Sequence, residues 1–151
     1  MDCDGVLTDG GVYYSKNGEE MLKFNRRDGK GIELLHENNI ATAIISSENS
    51  DIIRKRAEKL KIENVFTGVG RKTEILDLLV EKMSISKEEV AYIGDDIGDL
   101  DVMKSVGFPV AVSDAVEEVI NIAHYVCAKK GGDSSVREFI DILIKAKYEN
   151  R

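Results

Sequence analysis

Apolar and polar residues along this chain fall into short blocks that switch between strand-like alternation and helical spacing. Val12, Tyr13 and Tyr14 precede Lys16-Asn17-Gly18, and Met21, Leu22 and Phe24 follow it. Asn-Gly between alternating runs is a strong hairpin signal, so residues 11–25 are predicted to form a β-hairpin. Ile32 and Leu35 give residues 31–37 helical spacing, and residues 40–45 read as a buried strand that ends at Ser46-Ser47. Ser50 or Asp51 can cap the next helix, whose apolar face is Ile52, Ile53, Ala57 and Leu60.

The alternation continues to the end of the chain. Short strands are predicted at residues 65–66, 90–93, 109–112 and 125–127, and helices at 73–83, 100–106, 115–123 and 134–148. Strands separated by helices in this way imply an α/β fold: a doubly wound, Rossmann-like parallel sheet with helices on both faces, here with a protruding hairpin. At 151 residues and 16.7 kDa the chain is expected to be one domain, residues 1–151, without a separate cap. Lys129-Lys130-Gly131-Gly132 reads as the one loop built for flexibility.

Composition narrows the function classes. A net charge of −7 with 32% charged residues argues against a basic nucleic-acid-binding face and against docking on anionic membranes. No apolar run approaches the roughly 20 residues of a membrane span and no signal-peptide pattern opens the chain, so the expected location is cytoplasmic. Cys3 and Cys127 lie in no metal-binding or disulfide pattern. Cys127 is expected in the core, and the acids beside Cys3 disfavour a reactive thiolate. His36 and His124 have no nucleophile partner in the pattern and read as surface or packing residues.

Ligands of doubly wound sheets bind at the carboxyl ends of the strands. Asp2 and Asp4, Ser46 and Ser47, Lys72, and Asp95 with Asp96 all fall at predicted strand ends. That set suits phosphoryl transfer, in which a carboxylate attacks phosphorus to give an aspartyl phosphate. Asp2 is the candidate nucleophile and Asp4 the candidate general acid and base. Several acids around a phosphate call for a hard divalent cation, and Mg²⁺ is expected on Asp2, the Asp4 carbonyl and Asp95, with Asp96 and Asp99 in support. Ser46 and Lys72 are the candidate phosphate donor and counter-charge.

Asp2-Cys3-Asp4-Gly5-Val6-Leu7-Thr8-Asp9-Gly10-Gly11, Ser46, Lys72 and Gly94-Asp95-Asp96 with Asp99 together resemble the motifs of the haloacid dehalogenase superfamily of phosphatases. Lys23-Phe24-Asn25, Asp28-Gly29, residues 56–60, and Gly131-Gly132 with Val136-Arg137-Glu138 extend the resemblance to its capless branch, which dephosphorylates 3-deoxy-2-keto sugar-acid phosphates. The resemblance implies a homotetramer in which hairpins 11–25 pack together and a neighbour's segment, here residues 130–138, closes the site. It further implies substrate contacts from Ser47, Glu48, Arg56, Lys59, Lys130 and Arg137. The Glu48 and Lys59 pair resembles the nine-carbon ulosonate 9-phosphate type more than the eight-carbon octulosonate 8-phosphate type. Three departures accompany the match: Ser47 and the Asp133-Ser134-Ser135 run stand where glycines are usual, and only Met1 precedes the nucleophile where a central strand is expected. That shortened strand keeps a second reading open, a catalytically silent oligomerisation or regulatory domain. A phosphoacceptor signalling domain fits less well, because Lys72 precedes the Gly-Asp-Asp strand.

Overall fold

A computed structural model describes residues 1–149. The hairpin is formed by β1 (Thr8–Tyr14) and β2 (Glu20–Phe24), antiparallel with Val12 opposite Leu22, and it turns through Gly18 at φ +83°. It begins earlier than the alternation indicates, because a bulge between Thr8 and Val12 breaks the periodicity there. Helix α1 (Arg26–Glu37) also starts earlier, capped by Asn25, whose side chain accepts from Arg27 N. Its first turn holds Arg26, Arg27, Asp28 and Gly29, so no apolar spacing announces it.

The remaining elements follow the predicted order: β3 (Ala43–Ile45), α2 (Asp51–Lys59), β4 (Asn64–Phe66), α3 (Lys72–Met83), β5 (Ala91–Gly94), α4 (Leu100–Ser105), β6 (Phe108–Ala111), α5 (Glu117–Ile122), β7 (Tyr125–Val126) and α6 (Ser135–Glu149). Ser50 does cap α2, accepting from Ile52 N. Strand β3 pairs in parallel with β4, and β5, β6 and β7 pair in parallel in that order. Met1 and Asp2 join the two halves where the sequence places a central strand. The Met1 ammonium donates to Ala43 O, Ile45 N to Met1 O and Asp2 N to Ile93 O, each at 3.0 Å.

Alternate strand residues feed two separate cores, which is why helices cover both faces. Ile44, Ile93 and Val110 pack with Ile32, Ile53, Ala57 and Ile140 of α1, α2 and α6. Their neighbours Ile45, Tyr92 and Ala111 pack with Leu76, Val102, Met103 and Val119 of α3, α4 and α5. Cys127 is buried, His36 is half-buried with Nε2 2.7 Å from Thr42 Oγ1, and His124 is exposed, edge-on to Phe108. No described helix is long and apolar enough to cross a membrane.

The segment at residues 129–132 departs from expectation. Gly131 and Gly132 are buried, not flexible: Gly132 N donates to Val6 O at 2.9 Å and Gly131 N to Asp114 Oδ1 at 3.0 Å. Within residues 130–138, Ser134, Ser135 and Val136 are buried as well, while Lys130 and Asp133 are exposed. Truncating Ile32, fully buried at the α1–α6 contact, to Ala is expected to destabilise the fold by about 2–5 kcal/mol, read from urea unfolding midpoints at constant m.

Candidate active site

The chain coils tightly after Asp2. The amides of Val6, Leu7 and Thr8 all donate to Cys3 O, and Thr8 Oγ1 accepts from Gly5 N and Gly10 N at 3.2 Å each. At the centre of the coil Gly5 has φ +82°, and a methyl group there would lie 2.0 Å from Asp95 Oδ2. Only glycine lets the Asp2–Asp4 turn close against the end of β5.

Each neighbouring strand end adds one function. After β3, Ser46 is fixed by Ser46 N donating to Phe66 O at 2.9 Å and Val69 N to Ser46 O at 3.0 Å. Its hydroxyl donates to Asp4 Oδ2 at 3.3 Å and accepts from Glu48 N at 3.1 Å. Lys72 opens α3 and is buried, with Nζ 2.7 Å from both Asp2 Oδ1 and Asp99 Oδ1. After β5, Asp99 Oδ2 accepts from Asp95 N at 3.0 Å and Asp96 N at 3.4 Å, while Tyr92 Oη donates to Asp99 Oδ1 at 2.8 Å.

The result is one buried cation facing an excess of acid. Oxygens of Asp2, Asp95 and Asp99 lie within 4.8 Å of one another. Burial, then repulsion from Asp2 and Asp99, pushes Asp95 up to about 8. Burial and Asp99 push Asp2 up to about 6 against the pull of Lys72. Burial works to lower Lys72, but Asp2 and Asp99 outweigh it and raise its pKa. Asp4, half-buried, is also raised, mainly by burial. Asp95 Oδ1 is buried with no hydrogen-bond partner. An oxygen-only set with surplus negative charge and an unpartnered buried oxygen fits a hard divalent cation. Asp99 already accepts from Lys72, Tyr92 and two backbone amides, so Asp2 and Asp95 have the freer oxygens.

Other predicted residues lie elsewhere. The Asp96 carboxylate is exposed and accepts from Ile97 N at 2.7 Å, outside the acidic trio. Ser47 and Glu48 are exposed next to Ser46, which alone turns its hydroxyl to Asp4. Arg56 donates to Asn25 O at 3.1 Å and stacks over Phe24, which ties α2 to β2. Lys59 borders a surface groove of about 280 Å³ with Glu33, His36 and Lys61. Arg137 pairs with Asp141 at 2.7 Å, and Lys130 is exposed. Cys3 is fully buried and its thiol is pushed up by burial and by Asp4 and Asp2, which removes it as a nucleophile. Sequence reasoning missed Tyr92, read only as strand core; a phenol in a buried strand position needs a polar partner, and that was the available signal.

The haloacid dehalogenase-like hydrolase family matches residues 15–140. The chain belongs to that family. The 3-deoxy-D-manno-octulosonate 8-phosphate phosphatase of Salmonella typhi is 42% identical over 147 residues, covering 97% of this chain and 78% of the relative. The crystal structure of the Yersinia pestis phosphatase of the same name superposes with a TM-score of 0.94 at 41% identity, covering 96% of this chain and 78% of that one. The Moraxella catarrhalis phosphatase, solved with magnesium, phosphate and KDO, has a TM-score of 0.94 at 35% identity, covering 97% and 84%. By family and relatives the chain is an α/β phosphoric monoester hydrolase without a separate cap.

The raised carboxylates give a signed pH dependence. Asp2 and Asp95 hold protons more tightly folded than unfolded, so their contribution is complete below the ordinary carboxylate value near 3.8 and is lost as pH rises through about 6 and about 8. With chelator present, the Tm is expected to fall across pH 5 to 9 as these two groups ionise, and added Mg²⁺ is expected to restore it most at the alkaline end. A Tm unaffected by Mg²⁺ at pH 8 would contradict this electrostatic picture.

Proposed function

We propose that this chain hydrolyses 3-deoxy-D-manno-octulosonate 8-phosphate to the free eight-carbon sugar acid and inorganic phosphate, with Mg²⁺ as cofactor. The observation that carries the reaction is the convergence of Asp2, Asp4, Ser46, Lys72 and Asp95 at adjoining strand ends. The eight-carbon substrate rests on the relatives, which carry that activity in their names and favour it over the nine-carbon preference drawn from Glu48 and Lys59.

In this reading an Asp2 carboxylate oxygen attacks phosphorus and the bond from phosphorus to the sugar oxygen breaks. Asp4, whose raised pKa favours retention of a proton, donates it to the departing alkoxide. Asp4 then takes a proton from water as the water oxygen attacks the aspartyl phosphate, which releases phosphate and restores Asp2. Ser46 would turn its hydroxyl from Asp4 to a phosphoryl oxygen, and Lys72 would hold Asp2 in line while offsetting charge on phosphorus. Asp2 and Asp95 would hold Mg²⁺, with Asp4 adding its carbonyl. The cation offsets the repulsion between the acids and a dianionic phosphate.

Assembly belongs to the same proposal. Val12, Tyr13, Tyr14 and Met21 leave the hairpin largely exposed, with 60% of Tyr13 and 65% of Tyr14 accessible, and a two-stranded ribbon cannot bury them alone. A homotetramer packed through β1 and β2 would cover them.

With Mg²⁺, phosphate release from the eight-carbon 8-phosphate is expected to exceed that from a nine-carbon 9-phosphate in kcat/KM. Asp2→Asn is expected to lower kcat by at least about a thousandfold and Asp4→Asn by about a hundredfold or more. A higher kcat/KM on the nine-carbon substrate would overturn the substrate assignment; an active Asp2→Asn enzyme would overturn the nucleophile.

A further inference from the structure

Asp28 lies outside the reacting set, and its part in the site rests on the cation reading above. Asp28 lies in the first turn of α1, yet only 1% of it is exposed. Its Oδ1 accepts from Arg137 N at 2.8 Å, while its Oδ2 is buried without a hydrogen-bond partner. That donor lies in the first turn of α6, so Asp28 caps a helix other than its own. The first amides of a helix have no partner within the helix, and a carboxylate there satisfies them and complements the dipole. No residue of the entering loop does this by itself: Ser134 is buried at φ +73°, and the Ser135 hydroxyl is buried without a partner.

That cap fixes more than a helix. The loop entering α6 is Gly131-Gly132, and Asn25 Nδ2 reaches Gly132 O at 3.4 Å from the residue that starts α1. Gly132 N donates to Val6 O at 2.9 Å, and a methyl on Gly131 would lie only 1.7 Å from Gly5 O. Gly5 in turn presses on Asp95, since a methyl there would lie 2.0 Å from Asp95 Oδ2. Closely packed contacts of this kind transmit displacement because no soft side chain lies between them. From Asp28 to Asp95 the route is α6 entry, Gly131-Gly132, Gly5 and the carboxylate.

We propose that Asp28 is a positioning residue for the acidic centre: by capping α6 from α1 it holds Gly131-Gly132 behind the Asp4-Gly5 turn and so sets the approach of that turn to Asp95. Its loss loosens cation binding without touching any ligand. Residues that orient metal ligands from outside commonly affect affinity by about 10–100-fold when removed.

The test is Mg²⁺ binding to the full chain by calorimetry without substrate, on wild type, Asp28→Ala, Asp28→Asn and Ile140→Val. Asp28→Ala is expected to weaken Mg²⁺ about tenfold. Asp28→Asn keeps an acceptor oxygen for Arg137 N and is expected to recover most of the affinity. Ile140→Val lowers the Tm through α6 packing alone and is expected to leave affinity unchanged. Asp114→Ala, at an exposed position that anchors Gly131 N, gives a smaller shift in the same direction and serves if Asp28→Ala does not fold. Wild-type affinity in both Asp28→Ala and Asp114→Ala, or an equal loss in Ile140→Val, overturns the proposal and leaves the phosphatase reading intact. No uptake by wild type overturns the cation reading and this proposal with it.

Discussion

The Lys72 ammonium between Asp2 and Asp99 is the interaction on which the rest of the structure turns. All three groups are buried, and each contact is 2.7 Å. Removing one partner from a buried ion pair costs about 3–5 kcal/mol, because it leaves a charge with neither water nor a counter-ion. Here the cost has a topological side. Asp2 sits where the two halves of the sheet meet, Lys72 starts a helix on one face, and Asp99 organises the turn after β5. One cation therefore ties together elements that share few other polar bonds.

That tie is deliberately incomplete as electrostatics. Lys72 balances part of the negative charge, and Asp95 is left with a raised pKa and an unpartnered oxygen. A stable fold alone would be served better by an apolar residue at Asp95, since an unpaired buried acid opposes folding. The frustration is located where phosphoryl transfer needs a cation, which is the usual relation between local destabilisation and function. Around it the packing is tight: Gly5 and Gly131 stand where a methyl group would meet Asp95 and the Gly5 carbonyl.

Much of this was legible in the sequence, for reasons that differ by residue. Ile44 and Ile45, or Tyr92 and Ile93, are adjacent apolar pairs, and a strand buried on both faces leaves that mark. Ser46 and Asp95 stand out because each is polar at the end of such a run, and Asp2, Asp4 and Lys72 through the motifs they complete with them. Arg56 and Arg137 did not disclose their placement, since a basic residue on a helix looks the same whether it meets substrate, a distant backbone carbonyl as Arg56 does, or a carboxylate of its own helix as Arg137 does. Gly131-Gly132 read as flexible because composition cannot distinguish a glycine that moves from one that another backbone approaches. Asp28 was invisible as a cap, because its partner Arg137 lies more than a hundred residues away.

The account stands on Asp2 as the group that carries the phosphoryl unit. Quenching the enzyme during turnover and reducing it with borohydride converts an acyl phosphate to the corresponding alcohol, which mass spectrometry of the N-terminal peptide can locate. The account predicts homoserine at position 2, dependent on substrate and Mg²⁺ and absent when either is withheld. Reduction at Asp4 in place of Asp2, or intact Asp2 under conditions of steady phosphate release, would contradict it.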